Sequence, residues 1–207
     1  MHEANLFMIT FSAALLGVIP PGLVNMSVAK TCVNLGKKAG TVKALGASAV
    51  VFFQALLAIF IAKELIKNPN YKQNLLLAGI FVLSAMMIYF LVAALTRSSS
   101  SISSPSYKSS SQFFKGVLIS AINIFPIPYF VVISTLFTPQ NHVDFTLTTK
   151  LTFSFSAALG SMTTFMVYVY FFDKIIKENK TFKQYSNYFM AALMLCLLLI
   201  TIYRVYG

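Results

Sequence analysis

The chain has 207 residues, of which 57% are hydrophobic and 10% are charged. A soluble domain carries roughly 25% charged residues, so this composition excludes an ordinary soluble domain and indicates an integral membrane protein. The formal net charge of +11 does not indicate nucleic-acid binding. The basic residues lie between apolar segments, where they orient a chain in the membrane.

Six apolar stretches are long enough to cross a bilayer, which takes about 20 residues of helix. In chain order they cover residues 6–29, 44–62, 75–95, 116–137, 151–172 and 188–203. The first is not interpreted as a cleaved signal, because the preceding MHEANLF has no Lys or Arg and a signal peptide needs a positive n-region. We therefore expect an all-α integral membrane protein with six transmembrane helices.

Two of these stretches carry proline in mid-span. The first contains GVIPPGLVNM, which is interrupted at Pro20, Pro21 and Gly22. The fourth contains SAINIFPIPYF, which is interrupted at Pro126 and Pro128. Proline removes a backbone donor and clashes with the preceding turn, at about 3 kcal/mol each in a helix interior. Both helices are therefore expected to be broken.

A serine-rich segment, RSSSSISSPSYKSSSQ, lies between the third and fourth stretches and is typical of a flexible linker. It divides the chain into a first three-helix repeat at 1–96, the linker at 97–112, and a second three-helix repeat at 113–207. The two proline breaks then fall in the first helix of each half.

The two halves share further features. An offset of 114 aligns two tyrosine pairs, Tyr71 with Tyr185 and Tyr89 with Tyr203, and a comparable shift sets Gln54 against Thr164. Because each half has three helices, related halves must enter the membrane in opposite directions. This predicts an inverted 3+3 repeat, which is common among secondary transporters.

The basic residues also predict orientation. With the N-terminus outside, eleven of the sixteen Lys and Arg residues, Lys43 among them, fall in cytoplasmic connections and five fall on the other side. Cytoplasmic loops carry an excess of Lys and Arg. We expect a multi-pass membrane protein with both termini outside.

Broken helices in matching halves are the best sequence pointer to a transport site. Helix N-termini can hold a carboxylate, and exposed carbonyls can hold an ammonium. A mid-span amide is costly when it faces lipid, so Gln54 should face the bundle interior near the breaks. The predicted substrate-binding residues are Pro20, Pro21, Gly22, Asn25, Gln54, Asn123, Phe125, Pro126 and Pro128.

This predicted lining is neutral, which favours a zwitterionic or uncharged solute over a strongly cationic one. The alternative interpretation is that Asn25 and Asn123 only cap the half-helices. The predicted solute is a small molecule, and an amino acid carries both of the groups that the breaks could hold.

The segment PPGLVNMSVAKTCVNLGKKAGTVKALG resembles the first signature of the lysine exporter and homoserine/threonine efflux (LysE/RhtB) family of amino acid exporters. The matching positions are Pro21, Gly22, Gly36, Lys37, Lys38, Gly40 and Gly46. FKGVLISAINIFPIPYF resembles the second signature through Gly116 and Asn123. The resemblance covers nearly the whole chain. It implies a secondary transporter that exports amino acids or related small metabolites across the bacterial cytoplasmic (inner) membrane with the proton motive force.

The sequence departs from the family pattern at both breaks. Leu23 stands where the family usually has a second proline, and Ile124 and Phe125 follow Asn123 where it has proline and lysine. The missing lysine bears on the substrate class more than on the fold. We expect the signature glycines to serve the backbone between the first and second helices rather than to touch a ligand.

Coupling to protons or sodium needs a titratable group near the pathway. Glu64 and Asp173 end the second helix of each half at related positions, beside Lys63 and Lys174. They are candidates for coupling, and the alternative is that they form interfacial salt bridges.

No catalytic residue, metal site or cofactor is predicted, because no two acidic residues share a buried face. The two cysteines show no CxxC spacing. We therefore expect a transporter rather than an enzyme. The alternatives are an integral membrane enzyme and a non-transporting membrane scaffold. A homodimer is compatible with the sequence.

Overall fold

The computed structural model describes residues 2–19, 22–67, 69–95, 109–136, 145–176, 188, 191–192, 194–196 and 198–203. Within these residues all regular structure is α-helical, which confirms the predicted all-α class. The helices are α1 (His2–Val18), α2 (Leu23–Leu35), α3 (Lys37–Lys67), α4 (Pro69–Leu95), α5 (Ser109–Ile122), α6 (Pro126–Leu136) and α7 (Leu147–Ile176). A shorter apolar helix covers Met194–Tyr203.

Two helices are long and apolar enough to cross a membrane by themselves, over Lys37–Glu64 in α3 and Leu147–Phe171 in α7. The pairs α1 with α2 and α5 with α6 also qualify if each pair forms one bent span, with bends of 72° and 65°. The described part of the chain thus contains two to four candidate spans. The count of six stays a prediction.

Both expected breaks are present. α1 ends at Val18 and α2 begins at Leu23, and α5 ends at Ile122 before α6 begins at Pro126. Pro126 opens α6, where its missing N–H costs nothing because the first turn of a helix lacks intrahelical acceptors. Pro20 and Pro21 lie outside the described residues.

The helices α3 and α7 pack against each other in opposite directions. The Nζ atom of Lys37, at the start of α3, lies 5.2 Å from the ring centroid of Tyr170, near the end of α7. The Nζ atom of Lys150, near the start of α7, lies 4.4 Å from the ring centroid of Phe60, near the end of α3. A cation–π contact therefore joins the two helices at each end.

The core lies around α3 and α7. One cluster includes Val51 of α3, Phe130 of α6 and Phe153 of α7, and a second includes Val28 of α2 and Phe165 of α7. Apolar side chains also cover the outer surface, as expected where helices face acyl chains. Among them are Phe53, Phe81 and Phe114, which are 66%, 77% and 68% exposed.

Two glycines let α3 and α5 approach closely. A Cβ on Gly46 would overlap the carbonyl oxygen of Phe113, and one on Gly116 would overlap the carbonyl oxygen of Lys43. Only glycine fits such backbone-to-backbone contact. A similar approach joins α7 to α1, where a Cβ on Gly160 would lie 2.5 Å from the carbonyl oxygen of Phe11.

The signature glycines therefore serve different purposes. Gly36 adopts a φ of 87° and its N–H donates to the Cys32 carbonyl at 2.9 Å, so it ends α2 as expected. Gly40 and Gly46 lie inside α3, so the prediction that they serve the connection is wrong. Gly40 makes room for the Cys32 side chain, and Gly46 makes room for α5.

The predicted loop position of Lys43 is also wrong. α3 begins at Lys37, seven residues before the apolar stretch that starts at residue 44, so Lys43 lies within the helix. Its side chain is only 8% exposed.

Candidate functional site

At the break between α1 and α2, side chains donate hydrogen bonds to the last carbonyls of α1. We call such bonding of a break by side chains its closure. The side-chain amide of Asn25 donates to the carbonyl of Val18. The hydroxyl of Tyr168, on α7, donates to the carbonyl of Ile19 at 2.6 Å and also forms a side-chain hydrogen bond with Asn25. Asn25 therefore satisfies the end of the preceding half-helix, which favours the capping interpretation of this residue.

Two further side chains bond the final turns of α1. Thr164, one turn before Tyr168 on α7, donates its hydroxyl to the Leu15 carbonyl at 3.2 Å. Tyr129, on α6, donates to the Ala13 carbonyl at 2.7 Å, and its ring covers Gly17. The end of α1 is thus held by side chains from both α6 and α7.

Among the described residues, a single side chain closes the break between α5 and α6. Gln54, on α3, donates its amide to the carbonyls of Ser120 at 3.1 Å and Asn123 at 2.8 Å. It is 7% exposed, which confirms its predicted inward position beside a break. Its Oε1 atom is buried and has no hydrogen-bond partner among the described residues, so an acceptor remains for another group.

The two closures are reciprocal. Gln54 belongs to the first half and closes the break of the second, whereas Tyr168 belongs to the second half and closes the break of the first. Gln54 lies eight residues after Gly46, and Tyr168 lies eight residues after Gly160, and each of these glycines lies at a close helix crossing. Gln54 and Tyr168 are 114 residues apart, the same offset that aligns the tyrosine pairs of the two predicted halves.

The two half-helices that begin at the breaks differ in their first turns. Gly22 precedes α2 without a side-chain cap, and residues 23–25 all carry backbone N–H groups. In α6, Pro126 and Pro128 have no N–H, and the N–H of Ile127 is used by a carbonyl of the same turn. α2 therefore presents donors at its break where α6 presents few.

The remaining predicted site residues lie at the second break. The Phe125 ring packs on α4, with its centroid 5.6 Å from that of Phe90 and 5.8 Å from that of Tyr89. The backbone N–H of Asn123 donates to Ser120 at 3.1 Å, and its side-chain amide makes no hydrogen bond with the described residues. Asn123 is thus available for a ligand, and Phe125 is directed towards α4.

The candidates for coupling are not brought together. Glu64 is exposed at the far end of α3, and the side chain of Asp173 lies outside the described residues. Glu3, which the sequence did not indicate, accepts a hydrogen bond from Thr149 at 3.0 Å. Its other carboxylate oxygen is buried without a hydrogen-bond partner among the described residues.

Sequence reasoning missed the tyrosines. A tyrosine in mid-span buries a hydroxyl, which needs a partner, so Tyr129 and Tyr168 could have been marked as polar residues of the interior. Among the described residues, no group of three or more His, Cys, Asp or Glu side chains could hold a metal ion.

The family model of the LysE type translocators matches residues 15–203. The chain belongs to this family. The match includes both breaks and all the residues that close them except Ala13, and it confirms the resemblance on which the sequence prediction drew. A LysE type translocator with this apolar helical fold is a multi-pass membrane transporter of amino acids or related compounds. No curated protein and no solved structure matches the chain.

Proposed function

We propose that this LysE type translocator is a secondary transporter that exports amino acids across the bacterial cytoplasmic membrane, with its solute site at the two helix breaks. The observation that carries the proposal is the reciprocal closure by Gln54 and Tyr168. Neighbouring helices satisfy the freed backbone groups of many kinks, but here each break is bonded by the long helix of the other half. Relative movement of the halves would therefore change both closures together.

The antiparallel packing of α3 and α7 supports an inverted 3+3 repeat. The two helices hold equivalent places in their halves, and the cation–π contacts of Lys37 and Lys150 put the start of each beside the end of the other. Equivalent helices that run in opposite directions are what an inverted repeat requires. In this proposal, one half rocks against the other and exposes the breaks to each side in turn.

The first turns of α2 and α6 differ in their number of backbone N–H donors, and this difference gives the solute an orientation. The carboxylate of a zwitterion fits the first turn of α2, where the backbone donors and the positive helix end lie. Its ammonium fits acceptors at the second break, where the Gln54 Oε1 atom is unpartnered among the described residues and the Asn123 amide adjoins it. The predicted lining of Gly22, Pro126 and Pro128 belongs to the same two turns.

The finer parts of the proposal follow from the sequence. They are coupling to protons or sodium through Glu64 or Asp173, termini on the outer side, participation of Pro20, Pro21 and Phe125 in the site, and assembly as a homodimer.

The test is counterflow of radiolabelled amino acids in proteoliposomes, with a Gln54→Met variant. Methionine keeps the length of the side chain but removes both its donor and its acceptor. We expect saturable exchange in the wild type and a loss of about tenfold or more in the variant, since a buried hydrogen bond to a charged group contributes about 1.5–3 kcal/mol. Asn123→Ala should behave alike.

The matched control is Ser48→Ala. Ser48 is a buried polar residue of the same helix, but its hydroxyl contacts the Ala44 carbonyl of α3 at 3.0 Å and the Met162 sulfur of α7 at 3.3 Å, and it bonds neither break. Removal of the Ser48 hydroxyl should leave the rate of exchange within about twofold of the wild type. Absence of exchange for every amino acid in folded wild-type protein would contradict the proposed substrate. Equal losses in Gln54→Met and in the control Ser48→Ala would contradict the proposed site.

A further inference from the structure

A buried lysine lies outside the two breaks. Lys43 is 8% exposed on α3, and its Nζ atom donates to the hydroxyl of Thr31, on α2, at 3.1 Å. Thr31 in turn donates to the Ser27 carbonyl at 2.8 Å. An ammonium has three donors, and only one of them has a partner among the described residues.

Further donors lie near this lysine. Gly116 of α5 contacts the backbone of Lys43, so the adjacent Lys115 lies near enough for its charge to repel that of Lys43. Gln112 lies one turn before Gly116, on the same side of α5. It is 1% exposed, and its Nε2 atom has no partner among the described residues.

The two carboxylates that the structure describes, those of Glu3 and Glu64, lie far from this charge, and the side chain of Asp173, near the end of α7, is outside the described residues. Glu64 lies 21 residues further along α3, roughly 30 Å at 1.5 Å per residue. Glu3 contacts Thr149, whose neighbour Lys150 stacks on Phe60 near the same far end of α3. A buried ammonium without a countercharge is costly, so the cluster favours an anion.

We infer that these side chains form an anion site, which holds the carboxylate of the transported solute before it reaches the breaks. The site consists of Lys43, Thr31, Lys115 and Gln112. The solute assignment rests on the function proposed above. The chemical class is a small organic carboxylate, held by charge-assisted hydrogen bonds.

The position of the site favours a solute over a lipid. Lys43 lies between α2, α3 and α5 rather than on the outer apolar surface. It also shares a face of α3 with Gln54, because eleven residues make nearly three whole turns and place the two about 16 Å apart along the axis. A solute released from Lys43 towards the interior therefore moves along α3 to the second break.

The experiment has two readouts. The first is the thermal unfolding midpoint of purified protein in sodium acetate and in sodium chloride of equal ionic strength. The second is the half-saturation concentration for counterflow of a neutral amino acid, measured in liposomes with and without phosphatidylglycerol. The variants are Lys43→Gln, Lys43→Arg and Gln112→Met, with Lys150→Gln as the matched control at the opposite end of the bundle.

We expect acetate to raise the midpoint of the wild type, Lys43→Arg and Lys150→Gln, but not that of Lys43→Gln. The half-saturation concentration should rise about tenfold or more in Lys43→Gln and less in Gln112→Met, with the maximal rate within about twofold of the wild type. Both changes should be independent of phosphatidylglycerol. Gln112→Met keeps the charge, so it tests the site even if Lys43→Gln does not fold.

Other results overturn the inference. If acetate stabilises Lys43→Gln as much as the wild type, or stabilises neither, there is no anion site. If the half-saturation concentration is unchanged in Lys43→Gln, the solute assignment is wrong. If it changes only with phosphatidylglycerol, the anion is a lipid phosphate and the solute assignment is again wrong. If the wild type exchanges no amino acid, the proposed function fails. The acetate readout then still decides whether the anion site exists.

Discussion

Replacing Gly46 or Gly116 with alanine should separate α3 from α5 and weaken the closure of the second break. A Cβ on Gly46 would overlap the carbonyl oxygen of Phe113 and lie 3.0 Å from its carbonyl carbon and 3.2 Å from the Val117 nitrogen. Carbon contacts are optimal at about 3.5–4.0 Å. The neighbouring atoms are backbone and cannot rotate away, so the helices must move apart by roughly an ångström.

The cost has two parts. Overpacking of a close contact destabilises by about 1–3 kcal/mol. The separation also lengthens the hydrogen bonds from Gln54 to Ser120 and Asn123, which are 3.1 and 2.8 Å long and contribute about 1 kcal/mol each. We expect each variant to lose roughly 2–4 kcal/mol of unfolding free energy together with most of its counterflow activity.

The assay is denaturant titration in mixed micelles, with the double variant included. Once the first Cβ has separated the helices, the second has room, so the double variant should lose clearly less than the sum of the two. Gly36→Ala is the control, since nothing lies within 4 Å of its Cβ and only its φ of 87° opposes the change, at about 1–2 kcal/mol. Unchanged stability in either single variant, or full additivity in the double, would refute the reasoning.

Two other changes test the arrangement. Tyr168→Phe removes the donor to Ile19 and should lower the free energy of unfolding by about 0.5–1.5 kcal/mol, because a partly buried hydrogen bond is lost. Thermal unfolding measures this, and a variant as stable as the wild type would contradict the closure of the first break. In a background free of Cys32 and Cys196, Ala4→Cys should react with an impermeant maleimide from outside the cell and Lys38→Cys only after the membrane is opened; the reverse pattern would contradict the predicted orientation.

The fold was predictable to the extent that it depends on single segments. Apolar length located the helices, and Pro126 and Pro128 located a break, because both effects act within a few residues. Gln54 was placed inward for a similar reason, since an amide cannot face lipid cheaply.

Features that depend on contacts between distant segments were not predictable. Nothing near Tyr168 in the sequence indicates that it bonds Ile19. Lys43 was assigned to a connection because charged residues usually lie outside membrane spans, although contacts with Gly116 and Thr31 bury it. Gly46 was assigned to the connection between the first and second helices because the sequence does not show which backbone crosses it. In each case the deciding partner belongs to another helix.

The distances along the chain between the groups that close each break bear on how the protein is made. Gln54 is already in the membrane when Asn123, 69 residues later, is synthesised. Tyr168, which bonds Ile19, and Thr164, which bonds Leu15, are each synthesised 149 residues after their partners. Until α7 inserts, these carbonyls lack their final donors, and an unsatisfied group in the bilayer costs several kcal/mol. The break nearest the N-terminus is therefore the last to be completed during synthesis, so ribosome-bound chains that stop short of α7 should be the ones that membrane quality-control proteases recognise.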